Sequence, residues 1–299
     1  MKVLLTGGTG FLGAWTTRRL LQAGCTVRIV DPGTDRTLLD AMAGPASDAV
    51  ECLDGDITDP HGLAAQAEGC NRIIHLAALL TPACRDDPIR GATVNLIGTL
   101  AVFEAARRCG IPQVAYASSA GVFGPQSGEV PCPTTQYGAF KLACEASARA
   151  YWLDRGIASV GLRPLVVYGP GRKVGSTAGV TLACGRAVAG EPYTVPFTGE
   201  TDLIYVDDVA AALVAAVLRP VRGAHVFNLP GEVAHVDQVI AAIRALCPGA
   251  MLDAAGPPVP IAPRLAHHDL HPVLGALPRT SLADGLARTV AFYRTGVLA

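Results

Sequence analysis

Tyr137 and Lys141, in the segment Tyr-Gly-Ala-Phe-Lys, are the residues of this chain best suited to move a proton. On a helix, positions four apart share a face, so the lysine ammonium lies beside the phenol. A nearby positive charge favours phenolate and brings proton exchange toward neutral pH. The spacing alone is common on solvated helix faces. It gains weight from the upstream run Thr6-Gly7-Gly8-Thr9-Gly10-Phe11-Leu12-Gly13. There Gly7, Gly10 and Gly13 permit a tight turn, let backbone approach a pyrophosphate, and let a helix pack on a strand. The helix start at Phe11 and Leu12 adds unpaired N–H groups and partial positive charge for phosphates. Asp31 follows at about the 20-residue spacing at which a carboxylate accepts hydrogen bonds from the adenosine ribose and repels a 2′-phosphate. NAD is favoured over NADP, with Arg36 keeping the phosphorylated cofactor as the minority reading. Asp56 and Ile57, after the third strand, are placed to bracket the adenine ring. The bland alternatives are a ligand-free glycine turn and an ordinary turn aspartate before Pro32.

The elements that must position these residues alternate through the first half. Apolar strands are expected at 3–5, 26–30, 50–53, 72–76, 114–118 and 158–163. Helices are expected at 10–23, 89–109 and 135–155, the last carrying Tyr137 and Lys141. Strands separated by helices of ten or more residues mean right-handed crossovers and a parallel, doubly wound sheet. After Arg163-Pro164 glycine and proline break the rhythm, with helices expected at 207–218, 236–246 and 282–293 and a strand at 225–229. The reading is an α/β, Rossmann-type doubly wound parallel sheet with a smaller C-terminal substrate-binding part. The boundary falls near 165: a nucleotide-binding domain over 1–165, and a substrate-binding part over 166–299 with segments returning to the sheet.

Composition narrows the classes. The chain has 299 residues, 50% hydrophobic and only 16% charged, with net charge −1. That is long enough for a sizeable core and offers no basic field for nucleic acid. Aromatics, at 5%, are too few for a base-stacking surface. The nine cysteines are scattered without a Cys-x-x-Cys pair, which reads as reduced thiols and no metal site. Met1-Lys2 leads straight into the first strand, leaving no room for a signal peptide. No apolar run approaches the roughly 20 residues that span a bilayer. A soluble, cytoplasmic protein is expected.

Taken in order, the glycine loop, Asp31, Gly55-Asp56-Ile57, His75-Leu76-Ala77-Ala78, Asn95, Ser118-Ser119-Ala120-Gly121-Val122-Phe123-Gly124, Tyr137/Lys141 and Arg163-Pro164-Leu165-Val166-Val167-Tyr168-Gly169-Pro170-Gly171 form a recognisable series. With Asp207-Asp208-Val209-Ala210 and a terminal Ala-Leu-Pro-Arg-Thr-Ser-Leu-Ala-Asp-Gly-Leu, the chain resembles the extended short-chain dehydrogenase/reductases of the NAD-dependent epimerase/dehydratase group. The resemblance implies that Ser119 hydrogen-bonds the reacting substrate oxygen and that Tyr137 transfers its proton. It implies that Lys141 assists Tyr137 and binds the nicotinamide ribose, that Ala77 and Ala78 line the cofactor, and that Asn95 helps position the active-site helix. It also implies a homodimer through the helices near 89–109 and 135–155, where Ala143, Ala146 and Ala150 would permit close approach.

Departures from the family pattern narrow the chemistry further. Sugar 4,6-dehydratases place Asp-Glu after the Ser/Thr; here Ala120 and Gly121 stand there, and neither moves a proton. Nucleotide-sugar members commonly carry an arginine where this chain has Gly199-Glu200-Thr201-Asp202-Leu203, so carboxylates are expected to disfavour a diphosphate. Arg172, Lys173 and Arg186 remain as other sources of positive charge. The loop 174–179, with Ser176 and Thr177, offers hydroxyls to a small polar substrate. His75, among Ile73, Ile74 and Leu76, reads as structural. The leading expectation is NAD-dependent hydride transfer at a secondary alcohol or ketone of a small carbohydrate-like substrate: sugar, aldonate or hydroxy acid. A nucleotide-sugar 4-epimerase is the alternative, and a non-catalytic dinucleotide sensor the second.

Overall fold

The computed structural model describes residues 1–33, 35–126 and 128–297. The first half alternates as expected: β1 (Lys2–Thr6), α1 (Phe11–Gln22), β2 (Thr26–Asp31), α2 (Thr37–Ala43), β3 (Glu51–Asp54), α3 (Pro60–Ala67) and β4 (Arg72–His75). Short α4 (Thr81–Asp86) and α5 (Pro88–Ala92) precede α6 (Gly98–Arg108), β5 (Gln113–Ala117), α7 (Gln136–Arg155) and β6 (Ala158–Arg163). Then come β7 (Val166–Tyr168), α8 (Gly179–Ala189), β8 (Tyr193–Val195), β9 (Glu200–Tyr205), α9 (Val206–Leu218) and β10 (Ala224–Asn228). β11 (Glu232–His235), α10 (Val236–Leu246), β12 (Leu252–Ala254), α11 (His271–Leu274) and α12 (Leu282–Arg294) complete the described chain.

Seven strands form one sheet in the order β10-β6-β5-β4-β1-β2-β3, and every pairing in it is parallel. Strand order reverses between β1 and β4, which opens a crevice at their carboxyl ends. Alternation along β1 builds both layers. Val3 and Leu5 enter one core with Val209 and Leu213 of α9, and Leu4 enters the other with Val102 and Phe103 of α6. β10 lies beside β6, so the chain returns to the sheet well after residue 165.

The C-terminal part has its own core of Tyr168, Val180, Phe197, Tyr205, Val236, Ile240, Leu286 and Val290. It carries a three-stranded sheet, β11-β9-β7, and a β12-β8 pair.

Besides the short elements that the sequence reading did not include (α2, α3, α4, β7, β8, β9, β11, β12 and α11), two features differ from expectation. The helix expected over 89–109 is α5, a π-helical turn at Thr93–Ile97 and α6. The wide turn holds Asn95, whose amide brackets the chain opposite: Oδ1 accepts from Leu79 N at 2.7 Å and Nδ2 donates to Leu79 O at 2.9 Å. The second surprise is α8, whose Gly179 and Gly185 disguise a helix with Val180, Ala183 and Cys184 buried on one face.

His75 ties β4 to β1 on one side and to α6 on the other. Thr99 donates its hydroxyl hydrogen to Asn95 O at 2.6 Å, so it must accept from His75 Nε2 at 3.0 Å. His75 Nδ1 then accepts from Thr6 Oγ1 at 2.7 Å. Burial, helped by the Lys141 charge, pushes the imidazole down to about 3, so it is neutral.

Candidate active site

The glycine loop between β1 and α1 requires its glycines for reasons of space. Gly7 has φ +72, and a Cβ there would lie 2.6 Å from Ala77 N. A Cβ on Gly13 would lie 2.2 Å from Gly7 O. The loop therefore folds tightly over the ends of β1 and β4. Ala14 N donates back to Gly10 O at 2.9 Å, and no side chain caps α1. The N–H groups of Phe11, Leu12 and Gly13 are left at the helix mouth, where an anion completes them. These residues, with Gly7 and Gly10, line a crevice of about 760 Å³, a volume suited to a large cofactor.

Ser119, Tyr137 and Lys141 line the other end of that crevice. Thr135 caps α7, its hydroxyl accepting from Gly138 N at 3.1 Å, and Tyr137 stands in the first turn. Lys141, one turn on and only 4% exposed, donates from Nζ to Ala117 O at 2.7 Å. Its ammonium lies 5.7 Å from the Tyr137 ring centroid. One of its three N–H donors is used on that carbonyl, leaving two for a ligand. Ser119 ends the segment after β5, and its Oγ accepts from Gly121 N at 3.0 Å.

A buried network holds this end in register. Glu145, one turn beyond Lys141, accepts from Ser118 Oγ at 2.5 Å and takes both Arg163 Nε (2.7 Å) and Nη2 (2.5 Å). Arg163 also faces the Phe123 ring at 4.9 Å, and Ala120 N donates to Pro164 O at 3.0 Å. Lys141 and Glu145 thus grip consecutive points of the segment leading to Ser119.

The other sequence-derived residues are distributed unevenly. Asp31 Oδ2 is already engaged by Thr9, from N at 3.0 Å and Oγ1 at 2.5 Å, so the carboxylate braces the loop; like Ala77 it is not among the residues lining the crevice. Ala78 lines the crevice, whereas Ala77 does not, its N–H reaching Thr6 Oγ1 at 3.4 Å. Asp56 caps its own turn through Thr58 N at 2.8 Å, and Ile57 is buried beneath Gly98. Neither side chain reaches the crevice lining, so this dipeptide does not bracket a ring there with its side chains. Asn95 is likewise absent from the lining and acts on the Leu79 backbone instead. Arg36, weighed for a 2′-phosphate, is spent elsewhere, as is the neighbouring strand residue Arg28. Arg36 donates to Ser47 O at 2.7 Å and reaches Asp40, and Arg28 pairs with Glu51 at 2.9 Å.

A smaller inner pocket of about 130 Å³ opens from the crevice, sharing Ser119, Tyr137 and Arg172 with it. Ser176 and Thr177 line it, as do Thr134, Thr135 and the segment 259–261. The last was not legible as site in a proline-rich stretch. Its signal was the alternation of Val259 and Ile261 about Pro260, and Ile261 packs beside Ala120, Val122 and Phe123.

The carboxylates expected to face this pocket do not. On β9 Glu200 is exposed and pairs with Arg264 at 3.6 Å. Asp202 is buried and accepts from Gly231 N at 2.9 Å. Neither lines the crevice or the pocket, so their charge is no argument against a diphosphate.

Burial raises Asp202 from 3.8 to about 6. The unfolded chain ionises near pH 4 and the native protein near 6, so native stability from this group falls between those values and then levels. Asp202→Asn keeps an acceptor for Gly231 and should raise stability at pH 8 by roughly 2–3 kcal/mol relative to its effect at pH 4. Urea midpoints at the two pH values measure it; an equal effect at both would contradict the burial argument.

The crevice at the switch point is thus glycine-lined and carries a Tyr/Lys pair beside a serine, and the chain itself matches a family model. The model of the NAD-dependent epimerase/dehydratase family covers residues 3–229. The chain belongs to that family. Its relatives include the UDP-glucose 4-epimerase of Mycolicibacterium smegmatis, 32% identical over 98% of this chain and 99% of that one. The D-erythronate dehydrogenase of Cupriavidus necator is 30% identical over 85% of this chain and 84% of its own length. Among solved structures, the Thermus thermophilus UDP-glucose 4-epimerase in complex with NAD superposes with a TM-score of 0.81 at 26% identity, covering 98% and 99% of the two chains. The protein is an NAD-dependent enzyme of the short-chain dehydrogenase/reductase type, and the orphan amides at the α1 mouth fit the cofactor's pyrophosphate. Among the described residues no helix is long and apolar enough to cross a membrane.

Proposed function

We propose that this family member carries out hydride transfer at a secondary alcohol or ketone of a carbohydrate-like substrate, with Ser119, Tyr137 and Lys141 as its catalytic residues. The observation that carries the reading is the convergence of these three side chains on the far end of the crevice that starts at the glycine loop. Bound NAD supplies the hydride acceptor. Ser119 Oγ accepts from Gly121 N, which leaves its own hydrogen free to be donated to the substrate oxygen. Tyr137 takes or returns the proton of that oxygen. Lys141, fixed by Ala117 O, stabilises negative charge on the phenol oxygen as the proton leaves and donates its remaining N–H groups to the cofactor ribose. Gly7, Gly10, Phe11, Leu12, Gly13 and Ala78 hold the cofactor, and Asp31, braced on Thr9 of the same loop, turns its remaining carboxylate oxygen to the adenosine ribose when the cofactor is bound. Ala77 and Asn95 act indirectly: they keep the chain after β4 in place.

A nucleotide-sugar 4-epimerase is the second reading. It is favoured by the near full-length match to the Mycolicibacterium smegmatis epimerase and by the location of Glu200 and Asp202 outside both cavities. Incubation with NAD and a panel of polyols, aldonates, sugars and nucleotide sugars separates the two. Net NADH release marks a dehydrogenase, and inverted product without it marks an epimerase. Normal NAD binding with no turnover of any member would favour a non-catalytic sensor.

Exposed Ile89, Ile97 and Leu153, with Ala146 and Ala150, lie on α5, α7 and the turn between α5 and α6, which supports a homodimer through these faces. Sedimentation over a concentration series reads the assembly. The nine free thiols suit a reducing, cytoplasmic setting.

A further inference from the structure

The inner pocket contains one charge and no counter-charge. Arg172 is the only charged side chain among the described residues lining it; hydroxyls and apolar groups make up the rest. Its guanidinium donates from Nη1 to Val167 O and from Nη2 to Thr177 Oγ1, the latter at 2.6 Å. Both acceptors are neutral, and they use two of the five N–H groups. No carboxylate among the described residues pairs with it, in contrast to Arg163, whose charge is met by Glu145 at 2.5 Å. Arg172 is half-buried, and a guanidinium partly withdrawn from water with no anion beside it is incompletely compensated, a deficit that an anionic ligand entering the pocket makes good. Burial draws Arg172 down to about 10, so it stays charged at neutral pH.

Position selects the anion. Arg172 lines both the inner pocket and the crevice, in each case together with Tyr137. A group bound to it therefore lies a few bonds from the carbon whose oxygen meets the phenol. At about 130 Å³ the pocket holds a short polyhydroxylated chain and not a nucleotide. Ser176 and Thr135 supply hydroxyls for such a chain. The planar fork of a guanidinium matches a carboxylate in two parallel hydrogen bonds.

We propose that Arg172 is the subsite for a carboxylate carried by the substrate close to its reacting alcohol, so that the preferred substrate is a sugar acid. This rests on reading the same cleft as the hydride-transfer site.

The test uses matched pairs on the full-length protein with NAD: a series of aldonates against their polyols, and UDP-glucuronic acid against UDP-glucose. The wild type should prefer the acid of a pair. Arg172→Gln should lower the acid-to-neutral ratio of kcat/KM by roughly 100-fold, mostly through KM, with Arg172→Lys intermediate. NAD affinity of the variant should stay within about 3-fold of wild type, since in this account no phosphate of the cofactor touches Arg172. The proposal is overturned if the wild type favours the neutral partner or if the ratio is unchanged in Arg172→Gln. It is also overturned if affinity for NAD, or for UDP alone, falls as far as that for the acid, because the guanidinium then reads phosphate. Calorimetry with the aldonates on the NAD complex keeps the two readings apart. Arg172-dependent binding without turnover of any compound sinks the catalytic reading and supports the carboxylate subsite. Normal turnover of neutral compounds with no acid bound does the reverse.

Discussion

Tyr137→Phe should lower kcat by about 10³-fold while leaving NAD affinity within about 3-fold of wild type. The substitution removes one oxygen from a half-buried ring and nothing from the glycine loop, Asp31 or the mouth of α1. Ground-state binding is therefore kept and only the proton path is lost. Lys141 cannot substitute, because its Nζ is tied to Ala117 O at 2.7 Å and its charge stabilises an anion without accepting a proton. Ser119 cannot either: its oxygen already accepts from Gly121 N, and an unassisted hydroxyl is a poor base. Stopped-flow turnover and fluorescence titration of NAD check the two halves separately. A variant with near-normal kcat would remove Tyr137 from the chemistry, and one that no longer bound NAD would show that the ring mainly shapes the crevice.

Glu145→Ala should destabilise the protein by about 3–5 kcal/mol, the largest effect on stability expected of any substitution proposed for it. Arg163 would keep only Asn228 Oδ1 at 3.5 Å and the Phe123 ring, with its charge still buried. Ser118 Oγ would lose its acceptor at the same time. Glu145→Gln, which retains the shape and one acceptor oxygen, should cost markedly less and isolate the charge from the packing. The damage should also reach the site, because Ser119 directly follows Ser118. At a temperature where Glu145→Gln remains folded, its kcat should fall more than its NAD affinity does. Urea denaturation supplies the first number and steady-state kinetics the second. A loss below about 1 kcal/mol for Glu145→Ala would mean that solvent reaches Arg163.

Much of this arrangement was legible in the chain because local chemistry dictates it. The strand-loop-helix around Gly7 to Gly13 admits few side chains, and the period-two and period-3.6 patterns of the first half leave one sheet topology. The Tyr137/Lys141 spacing placed both residues on one face of α7, as helix geometry demands. Legibility failed where a residue's role depends on which way a strand or turn faces. Glu200 and Asp202 sit two apart on β9, yet one is exposed and the other buried under Gly231, so neither meets the substrate cleft. Asn95 lies on a π-helical turn that no propensity announces, and the extra residue there points its amide at Leu79. α8 hid behind Gly179 and Gly185, whose cost is offset by tertiary packing of Val180 and Cys184. Segment 259–261 reaches the pocket only by a long-range return of the chain to the turn at Ala120–Val122, which a linear reading has no means to see.

Hydride transfer through the Tyr137 site is tested most directly by deuterium placed on the reacting carbon of whichever sugar acid or nucleotide sugar turns over. A primary isotope effect on the chemical step is expected, with the label recovered on the nicotinamide of released NADH or returned to the carbon in an epimerised product. Label lost to water, with none on the cofactor, would mean that the carbon gives up a proton and would contradict the account.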